Sequence, residues 1–180
     1  IGAEADLGTA YTTAQALPSA PILGDISNQV FVAGVYQASS TLQFTGPVIL
    51  NGQNDPTSVF VFQVGSALTT AGASTVILEN DAQACNVFWQ VTSSATLGGA
   101  SSFQGTIMAN QSISVGTGAT IQGRALAQVG AVTLDNDHFI QPSCNLTPPT
   151  TTTTTPPTTT PPTTTRPTRT PTPPTTRPVT

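Results

Sequence analysis

Charge is what this sequence has least of. Its 180 residues include four basic and eight acidic side chains, no Lys and a single His. The acids (Glu4, Asp6, Asp25, Asp55, Glu79, Asp81, Asp135, Asp137) all precede residue 146, where Arg124 is the only basic residue. With no basic patch to neutralise phosphates, nucleic acid is not expected as a partner. Long apolar runs are absent too, so no transmembrane segment is expected. Cysteine is scarce: Cys85 and Cys144 stand far apart without Cys-x-x-Cys spacing, so no metal site is expected. An oxidising compartment would favour a disulfide clamping Cys85-Asn86-Val87 to the chain leaving the last repeat; the alternative is two buried thiols. There is no Gly-rich phosphate loop and no Ser-His-Asp set, and no cofactor is expected.

What the chain does have is internal repetition. Phe103-Gln104-Gly105-Thr106-Ile107-Met108-Ala109 recurs eighteen residues on as Ile121-Gln122-Gly123-Arg124-Ala125-Leu126-Ala127. Phe62-Gln63-Val64 recurs after twenty-seven residues as Trp89-Gln90-Val91, and Gly72 to Val76 as Gly99 to Phe103. Apolar columns at fixed distance, with variable loops between some copies, predict a mainly β fold, a β-solenoid. Val76, Phe103, Ile121 and Phe139 form its expected inward column. Before the strands, Ala3–Leu17 reads as one amphipathic helix on a stripe of Ala3, Leu7, Ala10, Ala14 and Leu17, with Tyr11 beside it, ended by Pro18. Val59-Phe60-Val61-Phe62 lacks polar alternation, as expected of a strand covered on both sides. The chain opens on Ile1 with no leader-like segment, which reads as a processed or excised piece.

Composition changes at Leu146. Of the residues from Thr147 to Thr180, 19 are Thr and 11 are Pro. Such a segment buries no apolar surface and is expected to be an extended stalk, open to O-glycosylation. The domain boundaries are therefore 1–146 and 147–180. Two N-glycosylation sequons occur, at Asn110 and Asn145.

Convergent polar chemistry is thin. The one place where His meets carboxylates is Asp135-Asn136-Asp137-His138, which reads as a turn before it reads as a sugar-cleaving site. No enzyme is expected. Aligning the repeats instead brings Gly72 to Thr75, Gly99 to Ser102, Thr117 to Thr120 and Asp135 to His138 into one column. Two-residue alternation predicts a ladder of small, uncharged side chains there: Ala73, Thr75, Ala100, Ser102, Gly118 and Thr120, with Thr117 beside them.

Several blocks resemble the ice-binding-protein-like family of secreted β-solenoids. They are Ala5-Asp6-Leu7-Gly8-Thr9-Ala10-Tyr11, Ala33-Gly34-Val35-Tyr36, Val59 to Ser66, Ala84 to Val91 and Gly123 to Ala127; the Cys-Asn-Val-Phe-Trp-Gln stretch is the most distinctive. The resemblance runs from about Ala3 to Cys144. It implies a three-sided right-handed β-helix with a long helix alongside, and a flat face carrying a loose Thr-Ala/Gly-x-Thr/Asn pattern that binds ice. Thr117-Gly118-Ala119-Thr120 matches that pattern in full, the two earlier sets in part. Family members carry strands before the helix that this chain lacks, so an open, association-prone edge is expected. The implied partner is the ice surface, and the implied setting is secreted or cell-surface attached. The competing expectation is a displayed adhesion or structural module that holds a glycan or another cell-envelope component.

Overall fold

A computed structural model describes residues 2–144; the stalk expected over 147–180 and the sequon at Asn145 lie outside them. Helix α1 (Gly2–Ala16) comes first, followed by β1 (Ala20–Ile22) and β2 (Val30–Val32). A second turn of chain supplies β3 (Gly34–Ala38), β4 (Leu42–Phe44) and β5 (Pro47–Asn51), and a third supplies β6 (Phe60–Val64), β7 (Leu68–Thr70) and β8 (Thr75–Glu79). A 3-10 turn at Ala84–Asn86 leads into β9 (Val87–Val91), β10 (Ala95–Leu97) and β11 (Ser102–Ala109). Then come β12 (Ile113–Val115), β13 (Thr120–Ala127), β14 (Val132–Thr133) and β15 (His138–Ile140). The long strands β11 and β13 each turn from one face of the stack onto the next. Gly105 makes that bend in β11 at φ +106°, where an added Cβ would meet the Val87 carbonyl oxygen at 2.6 Å.

Every strand pairing is parallel, and each coil lies on the next in register. One face runs β1-β3-β6-β9 and on through the second halves of β11 and β13. Its inward column is Tyr36, Phe62, Trp89, Ile107 and Ala125. A second face is the separate sheet β4-β7-β10-β12-β14. The third runs β2-β5-β8, the first halves of β11 and β13, and β15. The core between them is filled by rings: Phe62 stacks on Trp89 at 4.2 Å, with Phe31 at 5.2 Å from Phe62 and Phe103 at 5.1 Å from Trp89. Trp89 is fully buried, and its Nε1–H donates to the Gln104 carbonyl at 3.0 Å, so the indole brings no unpaired donor into the core.

The helix covers the first face. Tyr11 and Ala14 are buried against Val61 and Met108, with Leu7, Val35 and Phe88 packed beside them. That cover is why β6 is buried at every position. The contact stripe is therefore Leu7–Tyr11–Ala14, not the five-residue stripe read from spacing; Leu17 lies past the helix end and is 37% exposed. Gln63 fastens that end, its Nε2 donating to the carbonyls of Ala14 (2.8 Å), Gln15 (3.3 Å) and Leu17 (2.9 Å). These acceptors lie in the last turn and just beyond it, where no intrahelical donor remains.

Val76, Phe103 and Ile121 are buried as expected, but Phe139 is 41% exposed. It holds its register with Ile121. The difference is position, since among the described residues no coil lies beyond β14 and β15. Val129, Val132, Leu134 and Ile140 are exposed at the same end. Cys85 and Cys144 form a disulfide that ties this last coil back to the 3-10 turn. Reducing it is expected to cost about 2–4 kcal/mol, with amide exchange rising first in β15; equal protection in both redox states would contradict this.

Two surface turns carry a pH dependence. Asp25 accepts from the Ser27 hydroxyl (2.7 Å) and N–H (2.9 Å), and Asp55 likewise from Thr57 (2.7 and 2.8 Å). These donors, the hydroxyls first, hold both carboxyls below the usual Asp range. A lowered carboxyl pKa contributes stability that is complete above the unfolded value and lost as pH falls through the folded one. The thermal midpoint is thus expected to fall as pH drops below about 4. Asp25→Asn with Asp55→Asn should flatten that fall; an unchanged acid limb in circular dichroism would count against these turns as its source.

Candidate functional site

The second face is built from short strands of uncharged residues. Its strands show one burial pattern, inward–outward–inward, at β4, β7, β10 and β12. Leu42, Leu68, Ala95 and Ile113 point into the core, and Gln43, Thr69, Thr96 and Ser114 point out, with Thr133 of β14 continuing the outer row. These five stand in direct register, one per coil, at the strand separation of roughly 4.8 Å. By the same two-residue period Ala67, Ser94 and Ser112 flank the row on one side and Ala71, Gly98 and Gly116 on the other. No charged residue occurs in these five strands. Thr repeated on rigid parallel strands presents a methyl and a hydroxyl per rung, with χ1 held by β-branching.

The residues expected from sequence lie at the next corner, and the structure brings all seven together there. Ala73, Ala100 and Gly118 occupy the same step of successive coils, each in the left-handed region (φ 58°, 55° and 74°), with Asn136 (55°) the next in line. Their N–H groups donate up the stack, Ala73 to Gly99 (2.9 Å), Ala100 to Thr117 (2.9 Å) and Gly118 to Asp135 (3.1 Å). Between the two predicted outward positions, Ser74, Ser101 and Ala119 are buried. Thr75, Ser102 and Thr120 then open the third face in register, half-buried, with His138 at the end of their row. Thr117 is exposed and its hydroxyl donates to the Asp135 carboxylate. The ladder therefore spans the corner between the second and third faces.

The row at Thr69, Thr96, Ser114 and Thr133 escaped sequence reasoning. Its signal is short but present: Leu68-Thr69-Thr70, Ala95-Thr96-Leu97 and Ile113-Ser114-Val115 repeat at the same twenty-seven- and eighteen-residue offsets as the longer blocks. Asp135 to Asp137 form a bend that leads into β15 at His138. Asp137 accepts from the N–H groups of Ala119 (2.9 Å) and Asp135 (2.8 Å), which closes the end of the corner ladder. The remaining faces differ in kind. One is roofed by α1, and the third mixes Val30, Ile49 and Ile77 with Gln104, Glu79 and His138. No helix among the described residues is long and apolar enough to cross a membrane.

Residues 1–140 match the model of a family described as ice-binding-like. An ice-binding protein of Nostoc sp. (strain HG1) is 46% identical over 138 residues, which is 75% of this chain and 51% of that protein. Ice-binding protein 1 of Shewanella frigidimarina (strain NCIMB 400) is 37% identical over 140 residues, 72% of this chain and 15% of that protein. This chain thus spans about half the length of the first relative and a small part of the second. Among solved structures, the ice-binding protein from the Antarctic ascomycete Antarctomyces psychrotrophicus superposes with a TM-score of 0.76 at 41% identity, over 80% of this chain and 71% of that one.

The corner makes a stability prediction of its own. An alanine in the left-handed region is strained by its Cβ, and glycine is not. Ala73→Gly and Ala100→Gly are each expected to stabilise the fold by roughly 0.5–1 kcal/mol, read from urea unfolding. Destabilisation by either would mean that the methyl packs more than it strains.

Proposed function

The chain belongs to the ice-binding-like family, and from that premise we propose that it adsorbs to ice through its second face. The observation that carries the reading is the in-register row Gln43, Thr69, Thr96, Ser114 and Thr133, flanked by small residues and free of charge. Ice offers an ordered array of water with no net charge and no pocket. A charged side chain keeps its own hydration shell and competes with that array, whereas a Thr methyl restrains the first water layer while the hydroxyl joins it. Each contact is weak. Repetition on a rigid backbone makes the second engagement intramolecular once the first has formed, which multiplies the effect without any new kind of contact. Adsorption at many points inhibits recrystallisation and curves a growing front. No bond is made or broken, so the activity is binding and not catalysis.

Ala73, Ala100, Thr117, Gly118, Thr75, Ser102 and Thr120 are read as the rim of this surface. The corner that carries them continues directly from β7, β10 and β12. At the last coil the rim turns charged, with Asp135 and His138 in it, so the adsorbing area is centred on β7, β10 and β12. The coils are read as right-handed, the hand taken by about 98% of parallel crossover connections. The disulfide supports an oxidising, extracytoplasmic setting.

The test substitutes Thr69→Tyr and Thr96→Tyr, alone and together, since a phenol ring breaks the flatness without entering the core. Ice recrystallisation inhibition and crystal shaping are expected to fall several-fold in each single variant and nearly to vanish in the double, with the circular dichroism spectrum unchanged. Full activity in a folded double variant would remove this face from the reading, and a parent chain that never reshapes ice would remove the reading itself.

A further inference from the structure

The helix-covered face carries a column of amides on its outer side, Gln37, Gln63 and Gln90 in register. Gln63 has its partners in the helix-end carbonyls. Gln90 is 1% exposed, and its Nε2 has no hydrogen-bond partner among the described residues. Leaving a buried donor unmade costs on the order of 1–3 kcal/mol. Packing alone does not require an amide here, because the next coil has Met108 at this step of the column. Gln90 also lines a cleft of about 270 Å³ at the end of α1, together with Gln15, Gln37, Gln63 and Thr92.

We propose that this cleft is a hydroxyl-binding site. In it a hydroxyl oxygen accepts the Gln90 Nε2–H and donates onward to an amide oxygen of Gln15, Gln37 or Gln63. A hydroxyl both donates and accepts, so it satisfies the Gln90 amide in either rotation of its terminal torsion; a carbonyl or an ammonium serves one rotation only. No charged side chain lines the cleft, so nothing there selects an ion. Its volume falls just under the roughly 300–1,000 Å³ of drug-sized pockets, which suits a few waters or one small polyol. Water and polyol present the same group, and either would link the end of α1 to β9 through Gln90. The cleft lies on the helix-covered face, at the ends of β6 and β9, and not on the ice-adsorbing face.

The experiment is a high-resolution crystal structure of the native chain grown without polyol, and a second grown with glycerol. An ordered oxygen about 2.7–3.2 Å from the Gln90 amide nitrogen is expected in at least one. Gln90→Met should lose that oxygen while keeping the fold, and amide exchange at Ala16 and Leu17 should speed several-fold. A thermal midpoint that rises more steeply with glycerol in the native chain than in Gln90→Met assigns the site to polyol. Equal slopes, with the ordered oxygen present, assign it to water, and both outcomes support the proposal. A Gln90 amide bonded directly to a protein acceptor, with no ordered oxygen in either crystal, overturns it.

Discussion

Register is the constraint on which everything else in this chain depends. Each coil gives its N–H and C=O groups to the coil above and below, and parallel pairing leaves no freedom to slip by one residue without turning every side chain to the wrong side. Phe62 on Trp89 inside the stack and Thr69 beside Thr96 outside it are consequences of the same alignment. A core residue and a surface residue two strands apart are therefore not independent choices. Copying the first copies the second, and a short chain obtains an extended surface from a unit of sixteen to twenty-eight residues.

That economy explains why the surface is chemically poor. A row of identical groups needs small side chains with few rotamers, which Thr, Ser, Ala and Gly provide. It also needs the corners to repeat, and they do so through left-handed backbone at Ala73, Ala100, Gly118 and Asn136. Asparagine and glycine adopt that conformation readily; alanine does so under strain.

Much of this was legible in the sequence, and the exceptions have physical causes. The eighteen-residue recurrence of Phe103 to Ala109 became a strand pair matched over eight residues. Cys85 and Cys144 paired as an oxidising setting would have them. Phe139 was read as buried because its spacing is right; spacing reports direction, whereas burial also needs a neighbour on the far side. The helix stripe was misjudged at Leu17 because the helix ends at Ala16, so Leu17 falls past it, while the sheet beneath offers Val61, Phe88 and Met108 to Tyr11. The second face was overlooked for a different reason. Its strands are three residues long, so each contributes a single outward side chain, and one Thr between two apolar residues carries no periodicity until the coils are stacked. Gln63 and Gln90 look identical in sequence, and only the position of the helix end separates a satisfied amide from an unsatisfied one.

The central claim, that one face of the stack meets ice, is tested most directly by magnetisation transfer from ice protons to methyl groups in a frozen solution of the chain. The account predicts fast, direct transfer to the methyls of Thr69 and Thr96. It predicts slow transfer through an unfrozen layer to Val30 and Ile77 on the third face. Equal transfer to both sets, or faster transfer to the third face, would contradict it.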